Sequence, residues 1–386
     1  MINVAIIGIG AISPAHIEAY KVFDDLCEVT TLCDIDLTKA REKAQSYGLK
    51  KVPIFKQFEE VCSDPTIELV SICTPPSTHA HIAVELLKSG KHVIIEKPMA
   101  ASLEECDLIN KTAEEHNKIV SVIAQNRFFT PMMKVKKVLD QKLIGHVLHS
   151  QVDSFWWRGN CYYDLWWRGT WEKEGGGCTL NHAVHHIDIL QWMNGMPTEV
   201  TAIMSNTAHP NAEVEDLSVA ILKYEDGSIA QVTSSVVHHG EEQQLIFQGE
   251  KARISVPWKI HASTSSANGF PNKDTKTEQT IESYYHSLPP QEYEAHVGQI
   301  HNVLHAIKDG TTVLVDGKQG RQTLELITAI YKSASEKKTV SLPLKSGDRF
   351  YSKESILNHT IYFNEKTFQV DDFETDSITT GGEYGK

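Results

Sequence analysis

Ile94-Ile95-Glu96-Lys97-Pro98 is an apolar run that ends on a carboxylate, an amine and a proline. Upstream of it lies a glycine turn, Gly8-Ile9-Gly10, directly after the apolar run 3–7. Between the two, short apolar runs alternate with amphipathic ones. Strands are expected at 3–7, 28–33, 68–73, 92–96 and 119–122, and helices at 14–23, 38–47, 79–89 and 103–116. Strands that are apolar throughout and separated by helices predict a parallel, doubly wound α/β sheet. Such sheets bind ligands outside the carboxyl ends of their strands. The glycine turn and Lys97 therefore fall on one edge, an arrangement suited to a dinucleotide and a proton-moving amine.

After residue 122 the pattern changes. A helix is expected at 131–141, a longer strand at 147–155 and a helix at 182–193. Alternating stretches follow at 200–205, 217–224, 229–236, 244–248 and 252–256, with a hairpin signal at Asp226-Gly227. This reads as an antiparallel sheet with helices on one face, an α+β domain. The polar, Pro/Gly/Ser-rich stretch 261–291 reads as a long loop, and helices are expected at 294–308 and 319–335. The expected division is 1–122, 123–374 and a loose polar tail at 375–386.

The 386 residues carry 37 basic and 50 acidic groups, a formal net charge of −13, which disfavours nucleic acid and anionic membranes as partners. Seven cysteines, an odd number without a CxxC pair, read as reduced core thiols of a cytoplasmic protein. The N-terminus runs straight into a strand with no signal-peptide pattern, and no apolar stretch approaches the roughly 18 residues of a membrane helix.

Gly8-Ile9-Gly10-Ala11-Ile12-Ser13 is a GxGxxG turn with serine in the third position. Gly8 and Gly10 suit the approach of a pyrophosphate, which Ala11 and Ile12 would meet at the helix start. Asp34, at the end of the second strand, is placed to accept bonds from a ribose or to cap the next helix. No arginine directly follows it, which favours NAD over NADP. Thr74-Pro75-Pro76 ends the third strand near the nicotinamide half, and His79 is either a cofactor contact or a helix-start residue.

Lys97 is the first candidate for the reaction, with Glu96 beside it; partial burial would lower its pKa toward a working range. The second constellation runs from Gly175-Gly176-Gly177 through Asn181, His182, His185 and His186 to Asp188. On one helix Asn181, His185 and Asp188 share a face, while the glycines permit close backbone approach. His182, His185 and His186 have spacing for a metal, but no metal is expected, since a Lys–His pair suffices for alcohol oxidation. Five of the seven tryptophans lie between Trp156 and Trp171, among Arg158, Tyr163, Trp167 and Arg168. Aromatic faces beside arginines suit sugar recognition, and equally an aromatic lid or subunit contact.

With these residues assembled, residues 1–345 resemble the glucose–fructose oxidoreductase, inositol 2-dehydrogenase and rhizopine-catabolism (Gfo/Idh/MocA) family. The matching motifs are Gly8-Ile9-Gly10, Glu96-Lys97-Pro98, Gln125-Asn126-Arg127-Phe128, and the glycine tract leading to His185 and Asp188. Glu215-Asp216, Gly249-Glu250-Lys251, Val315-Asp316-Gly317 and Gly320-Arg321 add to them. The resemblance implies a Rossmann domain plus a domain with a large open, mostly antiparallel sheet that often forms the oligomer contact. It implies NAD(P)-dependent oxidation or reduction of sugars, sugar acids or cyclitols, with Lys97 and His185 as the catalytic pair. Many members carry aspartate where this chain has Asn181, which leaves acid–base work to Lys97 and His185. Glu96, Lys97 and Gln125 join the expected cofactor contacts, and Arg127, Arg158, Tyr163, Trp167, Arg168, Asn181 and His185 the expected substrate contacts. A homodimer or homotetramer is expected. The rival readings are an NAD-dependent glycosidase working through transient oxidation and a non-catalytic NAD(H)-linked sensor.

Overall fold

The computed structural model describes residues 1–371 and Phe373; the expected tail at 375–386 lies outside the described residues. The first third alternates β1 (Ile2–Ile7), α1 (Ser13–Val22), β2 (Cys27–Cys33), α2 (Leu37–Ser46), β3 (Ile54–Phe55), α3 (Phe58–Ser63), β4 (Leu69–Ile72), α4 (Pro76–Lys88), β5 (His92–Ile95), α5 (Leu103–His116) and β6 (Val120–Val122). The six strands are parallel, in the order β3-β2-β1-β4-β5-β6. The order reverses between β1 and β4, which opens a crevice beyond their carboxyl ends. Burial on both faces requires apolar strands, and all of β4 and nearly all of β1 and β5 is buried. Local chemistry sets the helix ends: Ser102 caps α5 by accepting from the Glu105 amide, and Asn117 closes it in the left-handed conformation.

A 3-10 turn at Gln125–Phe128 leads to α6 (Thr130–Asp140) and β7 (Val147–Phe155). Next come α7 (Cys178–Asn181), α8 (Val184–Asn194), β8 (Glu199–Ser205), β9 (Leu217–Lys223), β10 (Ile229–Ser235), β11 (Gln243–Gly249), β12 (Ala252–Val256), β13 (Lys259–Ser265) and β14 (Pro271–Lys273). Then follow α9 (Thr275–Ser287), α10 (Ala295–Asp309), α11 (Gly317–Glu336), β15 (Val340–Ser341) and α12 (Lys353–His359). The nine strands form one sheet, β14-β13-β12-β11-β7-β10-β9-β8-β15, antiparallel except where β7 and β10 run parallel. Alternation along β8, β9 and β10 turns Val200, Ala220 and Val232 into the core and leaves Ile203, Val219 and Ile221 on the open face.

The expected loop at 261–291 is instead a β13–β14 hairpin followed by α9. Its composition hides this, because an exposed edge has no core to face: of β13 only Ala262 is buried. In α9, which is capped by Asp274, only Ile281 and Tyr285 are buried. The second domain also returns over the first. Ile300, Val303 and Leu304 of α10 join the core that holds Ile17 and Tyr20 of α1. All seven cysteines are free, and five of them are buried. Among the described residues no helix is long and apolar enough to cross a membrane.

Candidate active site

The glycine turn is built for two different neighbours. A Cβ on Gly8, whose φ is +89°, would lie 2.8 Å from the Cys73 carbonyl, so this glycine lets the turn cross the end of β4. A Cβ on Gly10 would meet nothing within 4 Å, so the turn opens there onto free space. Ser13 is buried and donates to the Gly10 carbonyl at 2.8 Å, filling the role of the third glycine. No side chain caps α1, and Ala11 and Ile12 lead into its first turn. The Asp34 carboxylate accepts from the Ile9 amide at 2.6 Å and the Asp36 amide at 2.8 Å. Asp36, not Asp34, caps α2, which leaves Asp34 beside the turn. Gln125 is buried, and its Oε1 has no hydrogen-bond partner among the described residues. An open cradle at a helix N-terminus, an acid at the end of β2 and an orphaned amide oxygen fit a dinucleotide.

His79 departs from the cofactor role. It is fully buried, with one ring nitrogen 2.8 Å from the Thr74 carbonyl and the other 2.9 Å from the Pro98 carbonyl. It ties the turn Thr74-Pro75 at the end of β4 to the turn that carries Lys97. Glu96 is likewise turned inward. The His16 Nε2 donates to its Oε1 at 2.9 Å, the His296 Nε2 lies 3.4 Å from the same oxygen, and the Lys97 amide donates to Oε2 at 3.2 Å. His16 Nδ1 is 3.1 Å from Ser71 Oγ, which meets the Tyr20 hydroxyl at 2.6 Å. Burial alone would raise the Glu96 pKa, but the hydrogen bond from His16 and the close approach of His296 hold it well below the carboxylate range. A buried anion thus sits one residue from Lys97.

The Lys97–Pro98 bond is cis. Lys97 Nζ donates to the Asn181 carbonyl at 3.1 Å, and Lys97 lines a cavity with His185, Val184 and Met99. Burial pushes the Lys97 pKa down, Glu96 pushes it up, Arg168 pushes it down and Glu174 up, with a net lowering. Burial, with Lys97 and His186 nearby, holds His185 well below the usual histidine pKa, so it is neutral.

The expected shared face of Asn181, His185 and Asp188 is broken, because the helix stops at Asn181 and restarts at Val184. The Asn181 amide nitrogen turns back to the Gly176 carbonyl at 3.0 Å, so this residue serves Lys97 through its backbone. Asp188 pairs twice with Arg127, at 2.7 and 2.8 Å, and accepts from Thr323 at 2.8 Å. Arg127, expected to hold substrate, has 0% of its surface exposed and also bonds Gln319; it is a buried tie from the 3-10 turn to α8 and α11. The glycine tract admits protein rather than ligand. A Cβ on Gly176 would lie 2.2 Å from the Tyr331 hydroxyl, and one on Gly177 1.9 Å from the Glu215 carbonyl oxygen. Of His182, His185 and His186, none enters the only ligand-like cluster among the described residues, which is His16, Glu96 and His296. His186 is 2.9 Å from Ser154 Oγ instead.

The aromatic segment forms the other wall. The Arg168 guanidinium lies 4.1 Å from the Tyr162 ring centre and 4.5 Å from that of Trp167, and it donates to the Tyr162 hydroxyl. Arg158 lies over Trp156 and Tyr162 and pairs with Glu241 at 2.6 Å. Tyr162 also meets His182, whereas Tyr163 is buried against Tyr162 and His209. Glu174 is fully buried behind this wall. The segment is pinned by chain far downstream. Val370 pairs with Leu165, its amide donating to the Asp164 carbonyl at 2.8 Å and its carbonyl accepting from the Trp166 amide at 3.0 Å. Trp171 Nε1 donates to the Ile361 carbonyl at 3.0 Å, and Lys366 to that of Tyr163. Sequence reasoning missed Glu174, His16, His296 and this strap. The one available signal was Glu174 directly before the glycine tract.

Comparison with known proteins identifies the family of both domains. Residues 2–124 match a family model described as an oxidoreductase family with an NAD-binding Rossmann fold, and residues 136–342 match its C-terminal alpha/beta domain. The chain is 23% identical to the myo-inositol 2-dehydrogenase of Thermotoga maritima over 88% of its own length and 98% of the relative's. It is 23% identical to the levoglucosan dehydrogenase of Pseudarthrobacter phenanthrenivorans, over 89% and 98%. The solved WlbA dehydrogenase of Bordetella pertussis, in complex with NADH and UDP-GlcNAcA, superimposes with a TM-score of 0.76 at 27% identity, covering 89% of this chain and 98% of that one.

Proposed function

The chain belongs to the Gfo/Idh/MocA oxidoreductase family, and from that premise we propose that it oxidises a ring hydroxyl of a sugar, sugar acid or cyclitol with Lys97 as base. The observation that carries this reading is the Lys97 amine, buried beside neutral His185 and held on the Asn181 carbonyl at the sheet edge that carries the glycine turn. NAD, when bound, takes up the hydride from the carbon that bears the hydroxyl. Gly8, Gly10, Ala11, Ile12, Asp34 and Gln125 are the residues that hold it, with Thr74 and Pro75 at the nicotinamide end.

Lys97 must be neutral to accept the hydroxyl proton, and its burial and Arg168 favour that form. The Glu96 carboxylate opposes this and returns stability to the ammonium once the proton has arrived. A neutral imidazole has one donor and one acceptor nitrogen, so His185 can hold the hydroxyl in line with Lys97. Arg158, Trp167 and Arg168 form the substrate wall, with Tyr163 behind Tyr162. The open sheet face that carries Ile203, 76% exposed, with Val219 and Ile221 is the contact of a homodimer or homotetramer.

The test is Lys97→Met, with NADH absorbance followed over a panel of inositols, aldoses, sugar acids and anhydro sugars. The wild type produces NADH with one subgroup, and the variant loses at least about 1,000-fold in kcat while binding NADH as before. Turnover retained in the variant defeats the assignment. Glycoside cleavage without net NADH moves it to the transient-oxidation reading.

A further inference from the structure

Three polar atoms at the substrate wall are buried without hydrogen-bond partners among the described residues: Arg168 Nε, Glu174 Oε1 and His182 Nδ1. Buried polar groups are nearly always satisfied, so a cluster of orphans marks where a bound molecule completes the bonding. The three surround one ring. Arg168 stacks on Tyr162, His182 lies 5.5 Å from the same ring centre, and Glu174 Oε1 is 3.9 Å from Arg168 NH1.

The local structure aims these atoms. The Gly169 amide donates to Glu174 Oε2 at 2.5 Å, so one oxygen is fixed and Oε1 is left over. Glu174 is 0% exposed, yet it does not close on Arg168 as a bidentate pair. Arg168 is clamped between the Tyr162 and Trp167 rings, and its bond to the Tyr162 hydroxyl leaves Nε unpaired. One acceptor, Glu174 Oε1, and one donor, Arg168 Nε, are therefore left without partners on adjoining side chains.

The chemistry of the two unpartnered atoms selects what would complete them. A carboxylate would satisfy Arg168 and be repelled by Glu174, and an ammonium the reverse. A hydroxyl donates one hydrogen and accepts on its lone pairs, so it satisfies both at once. Resting on the dehydrogenase reading above, we propose that Glu174 and Arg168 together bind a hydroxyl of a polyhydroxylated ring other than the one that Lys97 deprotonates. Glu174 is then a specificity-determining residue: it selects rings with a free hydroxyl at that position.

The site adds a pH signature. Burial pushes the Glu174 carboxyl up to about 7, with Arg168, the Gly169 amide and Lys97 pulling it down and Glu215 pushing it up. Lys366, Tyr162 and Tyr163 are the other titratable groups that feel its charge. Only the ionised carboxylate accepts on both oxygens, so recognition of that hydroxyl strengthens as pH rises through 7.

The experiment pairs enzyme variants with substrate analogues. Wild type, Glu174→Gln and Arg168→Gln are each compared on the preferred substrate and on its single-position deoxy analogues. Both kcat/KM and calorimetric binding to the protein–NADH complex are measured. One deoxy analogue should lose about 10- to 100-fold against the parent in wild type. The same pair should differ by less than about threefold in either variant, and the KM for the parent should lose its titration near pH 7 only in Glu174→Gln. Undiminished discrimination in a variant that still binds NADH overturns the proposal. So does a wild-type preference for ring carboxylates that Glu174→Gln leaves intact. If Glu174→Gln fails to fold, Arg168→Gln carries the same cycle. Absence of turnover by wild type on every polyol counts against the dehydrogenase reading alone, because the binding arm still tests the pair.

Discussion

Two glycine-rich stretches flank this site, and they use the same residue in opposite ways. At residues 8–10 the chain turns so that Gly10 faces open space, where a ligand fits. At residues 175–177 the chain is pressed against Tyr331 and Glu215, with no room for even a methyl group at Gly176 or Gly177. A glycine says that something comes close; only the fold says whether it is ligand or protein.

Substitutions on the two sides should separate cleanly. The largest effect is expected for Gly177→Ala, whose Cβ would fall 1.9 Å from backbone that cannot move aside. It should cost more than about 3 kcal/mol or abolish folding, read by thermal unfolding. A stable Gly177→Ala with weakened NADH binding would erase the contrast. Next is Asp188→Ala, downstream of the packed tract. It strands the buried Arg127 and should cost about 3–5 kcal/mol, visible as a lower urea midpoint whether or not NADH is present.

A pH titration tests the buried histidines on both sides of the comparison. Burial lowers the pKa of His16, His79, His182, His185 and His186 below 6.5, so each stays neutral in the folded chain while its unfolded counterpart charges. The unfolded state then binds more protons as pH falls through 6.5, and stability drops with it. Each such histidine removes up to about 1.4 kcal/mol per pH unit until its folded pKa is reached. A flat urea midpoint from pH 7.5 to 5.5 would contradict this. The smallest effect belongs to Gly10→Ala. Stability should stay within about 0.5 kcal/mol, while the NADH dissociation constant, read by fluorescence, rises about tenfold.

The residues that sequence could place are those whose role is local. β1, β4 and β5 were legible because a strand buried on both faces has no choice but to be apolar. The positions of the glycine turn, Asp34 and Lys97 at strand ends, and of His185 on a helix after the glycine tract, were legible because each follows a short local motif. The β13–β14 hairpin and α9 were not, since an exposed edge imposes no hydrophobic pattern. Glu174 was passed over because its meaning depends on Arg168 across a turn and on burial, neither of which periodicity reports. Arg127 was misassigned for the same reason: its partner Asp188 is fixed only by packing. His296 reaches Glu96 from α10, a contact that no local pattern encodes.

The return of α10 onto α1 has a consequence for synthesis. Domains fold from the N-terminus as the chain emerges from the ribosome. Here the core around Ile17 and Tyr20 still lacks Ile300, Val303 and Leu304 when the last strand of the first sheet has been made. The aromatic wall waits longer still, for Val370 to pair with Leu165. A ribosome-bound chain therefore completes the core around α1 before the aromatic wall, and the α1 core only after Leu304 has been added.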